Sequence, residues 1–351
     1  MDNLAHAIVG AAIGRAVAGH RVPRAAVLGA VAANAPDWAE AFTGWPWPGA
    51  VFLAEHRGIT HALPGVATEM VALTGAVGAA WWWAHRRRPT AVPAPPWGWL
   101  WLLIGTAVLS HAYMDWQGSY GWRPFLPWDE RWVYGDFVAI VDPVFWIVPL
   151  VALAWGGPRH WRPLLGFALI GVPATALVLL HPLPTHWLKA AWIGTCLVAA
   201  FGWVAHWCGT AGRRRAAAYA LALLATYAGA QGLVSLRAKA AARRAALARF
   251  GTSAQWAALT VVGQPFRWQP IFASADTVAT PEWATARHLA RPEVRRALRD
   301  TRDGHAIGIF ARFLTAEVHT TTELTTVILR DARYARGPGR GWATVAVTLP
   351  D

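Results

Sequence analysis

The sequence predicts a polytopic all-α transmembrane bundle of about six to eight helices with a small C-terminal α+β soluble domain. Three observations lead there. Hydrophobic residues make up 55% of the 351 and charged residues only 15%, where soluble domains carry roughly 25% charged. The acidic residues are split, ten from Asp2 to Asp142 and nine from Asp276 onward, which leaves 133 consecutive residues, 143–275, without a carboxylate. Only short arginine clusters interrupt that stretch, as between successive spans. The 24 tryptophans agree with this, because indoles collect at the headgroup level of a bilayer.

In chain order, two short and weakly hydrophobic helices are expected over residues 3–19 and 23–36, separated by Gly19-His20-Arg21-Val22-Pro23. They read as a hairpin that only partly crosses. A loop over 37–60 carries Trp45-Pro46-Trp47-Pro48, an interfacial composition. Six spans follow at 62–84, 97–115, 137–156, 163–180, 187–208 and 215–236, each near the ~20 residues that a hydrocarbon core requires. A basic Ala/Arg helix over 237–250 leads into a polar region with strand-like runs at 260–263, 305–313, 324–330 and 342–349, and a helical piece at 281–299. Three domains are expected: 1–145 as a membrane-embedded metal-site region, 146–250 as further spans and a linker helix, and 251–351 as the α+β domain.

The net charge of +13 raises the question of nucleic acid. The arginines, however, form short clusters between apolar runs, such as Arg86, Arg87 and Arg88 or Arg213, Arg214 and Arg215. They are topology signals, and no nucleic-acid partner is expected. Cys196 and Cys208 share one apolar run, which suits neither a zinc finger nor a disulfide framework. No basic n-region precedes an apolar core at Met1-Asp2, so internal spans are expected to direct insertion. Connections holding Arg21 and Arg24, Arg86 to Arg88, Arg159 and Arg162, and Arg213 to Arg215 alternate along the chain and contain ten arginines. They should be cytoplasmic, which puts 37–60, 117–136 and the C-terminal domain outside the cytoplasm.

That topology gathers His6, Asp37, His61, His111, Asp115 and Asp142, with His56 close by, at one leaflet. Imidazoles and carboxylates persist near hydrocarbon when paired, hydrated or bound to metal. His111 and Asp115 are four apart on one helical face and can reach one ion. His56 and His61 straddle Arg57-Gly58, so a turn at Gly58 must bring them together if both ligate. The donor set suits zinc, or manganese and iron with more oxygens, as one or two ions. Each residue also has an ordinary structural role open to it. Asp37 after Pro36 can cap a turn, Asp142 before Pro143 can start a helix, and Asp115 can pair with Arg57 or Arg123. Glu55 is placed to act as general base, and Arg57 and Arg123 are candidate partners for a phosphate or carboxylate.

These residues carry a resemblance. Met1-Asp2-Asn3-Leu4-Ala5-His6, Ala35-Pro36-Asp37, His56-Arg57-Gly58-Ile59-Thr60-His61, Ser110-His111-Ala112-Tyr113-Met114-Asp115 and Val141-Asp142-Pro143 are similar to the YdjM/YbcI-type family of bacterial inner-membrane proteins. The resemblance is strongest over residues 1–145. Two departures are Ala5 and Ala62, where the family usually has Thr and Ser. The family resemblance implies a membrane-bound metal-dependent hydrolase. The order His, Asp, His, HxxxD is also similar to helical zinc-dependent phospholipase C and related nucleases. The expected reaction is attack by metal-activated water on a phosphoester or similar bond of a lipid or lipid-linked substrate. Two non-hydrolytic alternatives are a metal-stabilised membrane scaffold, whose C-terminal domain binds a partner, and an ion- or proton-coupled transporter using Asp115, Asp136 and Asp142.

Overall fold

The structure is a computed structural model that describes residues 1–42, 50–155, 161–205, 210–321, 324–334 and 342–349. Trp45 to Pro48, Arg159 and Cys208 lie outside the described residues. The chain forms two compact units: Met1–Pro36 with Thr60–Leu233 and Thr260–Arg267, and Asp37–Ile59 with Val234–Leu259 and Trp268–Asp351.

The first unit opens with α1 (Asn3–Ala18), capped by Asp2, whose carboxylate accepts from the Ala5 N–H at 2.9 Å. This satisfies one of the orphan donors at the helix start. The short α2 (Ala25–Ala32) packs against α1 backbone to backbone. A Cβ added to Gly14 would lie 2.0 Å from the Ala25 carbonyl oxygen, and one on Gly29 would lie 2.1 Å from that of Gly10. Gly10 and Gly14 are four apart, the spacing of small residues that lets two helices close up.

Next come α4 (Leu63–Arg87) and α5 (Trp97–Gln117), the latter burying Leu100, Leu103, Ile104, Ala107 and Val108 in the protein core with the α1–α2 hairpin. The residues after α5 run irregularly, through a turn at 124–128 and an isolated bridge between Trp122 and Val133, as far as Asp142, which caps α6 (Pro143–Ala154). The helices α7 (Trp161–Leu180), α8 (His186–Ala205) and α9 (Thr210–Phe250) complete the list, α9 belonging to this unit as far as Leu233. Within that part α9 buries Ala217, Ala220, Leu224, Ala228 and Gln231 along one face, three or four residues apart.

This architecture corrects the predicted bundle of six to eight spans. Among the described residues, two helices are long and apolar enough to cross a membrane, Leu63–Arg87 and Ala211–Phe250. The expected span at 97–115 is α5, which carries four tryptophans with His111, Asp115 and Gln117, turns Leu100, Leu103, Ile104 and Val108 into the core and leaves Leu102 and Leu109 exposed. The expected span at 137–156 is helical only over the 12 residues of α6, about 18 Å of rise against a ~30 Å hydrocarbon core. Hydropathy along a sequence records what residues are, and not whether they face lipid or neighbouring helices.

The second unit contains α3 (Ala50–Glu55), two antiparallel sheets and two further helices. One sheet orders β1 (Gln255–Thr260), β2 (Trp268–Ala273), β3 (Thr277–Ala279) and β4 (Ala284–Ala286) consecutively. The other orders β5 (Leu314–Thr320), β6 (Thr325–Asp331) and β7 (Thr344–Leu349), with Leu314 opposite Asp331 and Thr325 opposite Leu349. Ala257, Ile271, Val278, Phe313 and Ala332 form one core cluster. The run 305–313, expected as a strand, is mostly α11 (Arg302–Phe310): Thr301 caps it by accepting from the Gly304 N–H, and Ile307 and Phe310 share its buried face. The helix expected over 281–299 is confined to α10 (Pro292–Asp300), and the residues before it include β4.

Candidate metal centre

In the first unit, four of the residues singled out in the sequence meet in one buried place. His6 projects from the first turn of α1, His111 and Asp115 from the last two turns of α5, and His61 from the segment entering α4. All four are at most 1% exposed. Asp115 is the hub. Its Oδ1 lies 3.3 Å from His6 Nε2, and its Oδ2 lies 3.5 Å from His111 Nε2 and 3.6 Å from His61 Nε2. The two latter imidazoles approach each other at 3.1 Å, Nε2 to Nε2. The rings of His6 and His111 stack with centroids 3.8 Å apart. The α-amino group of Met1 pairs with Asp115 Oδ1, so a cation sits on this carboxylate.

Backbone groups set the ring orientations. His111 Nδ1 lies 2.7 Å from the Ala33 carbonyl oxygen. A carbonyl only accepts, so Nδ1 carries the hydrogen and Nε2 presents a lone pair towards Asp115 and His61. That carbonyl follows α2, which is where the tight α1–α2 packing has its effect on the site. His61 is held from both sides: its Nδ1 is 3.1 Å from Thr60 Oγ1, and its backbone carbonyl accepts from Trp122 Nε1 at 2.6 Å. Trp122 is fixed in turn by its bridge to Val133. Burial, and after it the neighbouring His111, pushes the His6 imidazole down to about 3, so His6 is neutral and competent as a ligand. Its Nδ1 is buried without a hydrogen-bond partner.

This donor set fits a divalent metal. His6 Nε2 approaches one Asp115 oxygen and the Nε2 atoms of His111 and His61 the other, at 3.3–3.6 Å, comparable to the ~3.3 Å that separates two ligands of one ion held at about 2.0–2.1 Å. His6, His111 and Asp115 offer ligand atoms within 4.8 Å of one another. Imidazole nitrogens with a carboxylate are ligands for divalent transition metals in general.

Asp142 and Arg123, also in the first unit, make contacts of their own. Asp142 is 3% exposed and caps α6, with Oδ1 accepting from the Val144 N–H at 3.0 Å. Its Oδ2 accepts from the Tyr227 hydroxyl at 2.8 Å and from Gln231 Nε2 at 3.2 Å. Burial raises its carboxyl to about 6 against these hydrogen bonds. Arg123 is buried, with its guanidinium 4.8 Å from the centre of the Trp132 ring. Asp37, Glu55, His56 and Arg57 belong to the second unit. There Asp37 is buried in a 3-10 turn (Ala35–Phe42), Glu55 is exposed, and His56 stacks on Phe52 with centroids 4.9 Å apart. Arg57 is 1% exposed and adopts a left-handed φ of 64°, so the turn expected at Gly58 begins one residue earlier.

Sequence reasoning missed the Met1 amine, the Ala33 carbonyl and the Trp122 indole, because none of them carries a motif. Tyr227 and Gln231 gave a weak signal, as two polar side chains four apart in an apolar helix.

No solved structure matches the chain. Among curated proteins, the uncharacterized protein YfhP of Bacillus subtilis (strain 168) is 30% identical over 105 residues, 30% of this chain and 29% of that protein. The match thus spans under a third of either protein. The family described as YdjM inner membrane protein matches residues 1–188, which include α1, α2 and all four residues of the buried His/Asp cluster. With more than half of its length matched, the chain belongs to the YdjM inner membrane protein family.

Proposed function

We propose that this membrane protein is a metal-dependent hydrolase whose centre is His6, His61, His111 and Asp115. The observation that carries the proposal is the packing of three imidazole nitrogens around one buried carboxylate at 3.3–3.6 Å. A divalent ion held there, most simply zinc, would supply Lewis acidity at an attacked phosphoester and acidify water. The chain's own residues prepare the site. Asp115 provides the negative charge, the Ala33 carbonyl selects the His111 tautomer, and Trp122 fixes the backbone at His61. Arg123, buried over the Trp132 ring and next in sequence to Trp122, would be the guanidinium to meet the substrate's phosphate with two parallel hydrogen bonds. The phosphoester belongs to a lipid or lipid-linked molecule, in keeping with the family's membrane placement.

One observation favours a second reading. Each cluster side chain is at most 2% exposed, and closed coordination without an accessible position is the mark of a structural metal. In that reading the ion holds the helices together and does no chemistry. Both readings are tested on protein purified in detergent without added metal. Elemental mass spectrometry should find about one or two equivalents of a divalent metal, and the loaded protein should hydrolyse a phosphoester in a panel of phospholipids, losing that activity to a chelator. Absence of metal removes both readings. Bound metal whose removal lowers the melting temperature, with no hydrolysis across the panel, leaves the structural one.

A further inference from the structure

The first unit contains a second charged feature, remote in sequence from His61, His111 and Asp115 and not used by the proposed reaction. A cavity of about 220 Å³ opens between the end of α1, the turn into α2 and the start of α9, and four arginines line it: Arg15, Arg24, Arg213 and Arg214. No carboxylate lines it. The lining residues come from two acid-free stretches, 3–36 and 143–275, so the positive charge is not neutralised along the chain either.

Arginines that only marked membrane topology would splay into solvent. Two of these are instead held in place by backbone carbonyls. Arg15 is half-buried, and its Nη1 donates to the Ala152 and Leu153 oxygens at 3.2 and 2.6 Å. Arg214 Nε donates to the Ala16 oxygen at 3.3 Å. Those bonds use one part of each guanidinium and leave the remaining donors of a five-donor fork for a ligand. Burial first, and the Arg213 charge second, hold Arg15 below the ordinary arginine range, as expected where cations are crowded. Arg24 precedes α2 with a left-handed φ of 54° and no side-chain cap. A non-glycine residue in that region is strained, and such strain concentrates at ligand sites. The uncapped positive end of α2, at Ala25 and Ala26, also lines the cavity, adding partial charge of the same sign.

We propose that this cavity is a phosphate-binding site, independent of the metal centre. Its occupant is the phosphate of an anionic phospholipid headgroup or free phosphate. Guanidinium forks match phosphate oxygens bidentately, and the volume suits a single phosphate-bearing group.

The test uses full-length protein, delipidated in detergent, in two arms. In the lipid arm, native mass spectrometry compares retention of phosphatidylglycerol with phosphatidylcholine, for the parent and for Arg24→Gln/Arg214→Gln. In the second arm, inorganic phosphate is titrated by calorimetry into the same proteins. The parent should show at least one of two results: retention of phosphatidylglycerol about tenfold above phosphatidylcholine, or saturable phosphate binding. The double variant should lose it, with metal content unchanged. A lipid preference without phosphate binding identifies the headgroup as occupant, and phosphate binding without a lipid preference identifies the free anion. Neither result in the parent, or a preference that survives in the variant, overturns the proposal. Should the double variant fail to fold, Arg24→Gln alone answers the question, because Arg24 is exposed and its removal should still weaken binding severalfold.

Discussion

Asp115→Asn keeps the shape of the side chain at the centre of the cluster and removes its charge. Among the groups that face this carboxylate are the Met1 ammonium and the Nε2 atoms of His6, His111 and His61 at 3.3, 3.5 and 3.6 Å. With the side chain 2% exposed, no water replaces what is lost. Removing one partner of a buried pair costs about 3–5 kcal/mol. Asparagine retains one acceptor oxygen, which puts the expected loss near the lower end, about 3 kcal/mol. A unit of this size loses about 2–4 °C per kcal/mol, so the melting temperature should fall by roughly 6–12 °C. Metal affinity should fall by more than the 10–100-fold typical of a residue that only orients a ligand. Thermal unfolding in detergent and elemental mass spectrometry on the same preparation read both effects. A chelator should reproduce part of the shift in the parent and none in the variant. An Asp115→Asn protein that melts within about 2 °C of the parent with equal metal content would refute the assignment of Asp115 as hub.

Three further predictions follow from other parts of the molecule. Gly14→Ala puts a methyl group 2.0 Å from the Ala25 carbonyl oxygen. It should force α1 and α2 apart at a cost of about 1–3 kcal/mol and, by displacing the Ala33 carbonyl from His111, lower metal retention, which elemental analysis of the variant measures. Asp142 has its carboxyl raised from 3.8 to about 6, so the folded state binds that proton more tightly than the unfolded chain. Its contribution is therefore fully present below about pH 4 and lost as pH rises through about 6, a swing on the order of 3 kcal/mol. Asp142→Asn, which cannot ionise, should flatten the profile of melting temperature between pH 4 and 7 without altering metal content; an unchanged slope would count against it. In the second unit, Arg333 pairs with Asp331 at 2.7 Å, both side chains at most 1% exposed, and also donates to the Phe310 carbonyl at 3.2 Å. Arg333→Ala strands the Asp331 carboxylate and should cost about 3–5 kcal/mol, seen as faster proteolysis within 268–351 while metal content stays at the parental level.

Much of the candidate site was legible because its residues are polar groups where polar groups are expensive. His111 and Asp115 stand four apart at the end of an apolar run, and His61 closes an HxxxxH segment just before another. Their convergence could be argued from charge and helix direction alone. The number of spans could not. Composition over 97–115 is the same whether Leu103 and Ile104 face lipid or the α1–α2 hairpin, and in the structure both are fully buried in protein. The strand expected at 305–313 failed for a related reason. His-Ala-Ile-Gly-Ile-Phe alternates well enough for a strand, but Thr301 caps a helix there and Ile307 and Phe310 lie three apart on its inner face.

The two buried aspartates, Asp115 and Asp142, show what sequence position leaves open and donor chemistry decides. Both were placed at the same leaflet, and both are at most 3% exposed. Around Asp142 stand a hydroxyl, an amide nitrogen and a backbone N–H, the first two from residues 85 and 89 positions away. Each of these is a committed donor, so they saturate the carboxylate's oxygens and hold α6 to α9 with no place for a metal. Around Asp115 stand three imidazoles and an amine. An imidazole nitrogen can donate a proton or offer a lone pair, and His111 Nε2 is fixed as a lone pair by its partner on the other side of the ring. His111 Nε2 and His61 Nε2, only 3.1 Å apart, therefore share either a hydrogen donated by His61 or a cation. A hydrogen between them satisfies that pair alone, whereas in the proposed function a divalent ion would also engage His6 and Asp115, whose Oδ1 also holds the Met1 amine. In the proposed function Asp115 is therefore a metal ligand, and Asp142 a scaffold residue. The corresponding experiment is a comparison of the two asparagine variants: metal content should respond to Asp115→Asn and the pH dependence of unfolding to Asp142→Asn, and an exchange of those two responses would reverse the assignment.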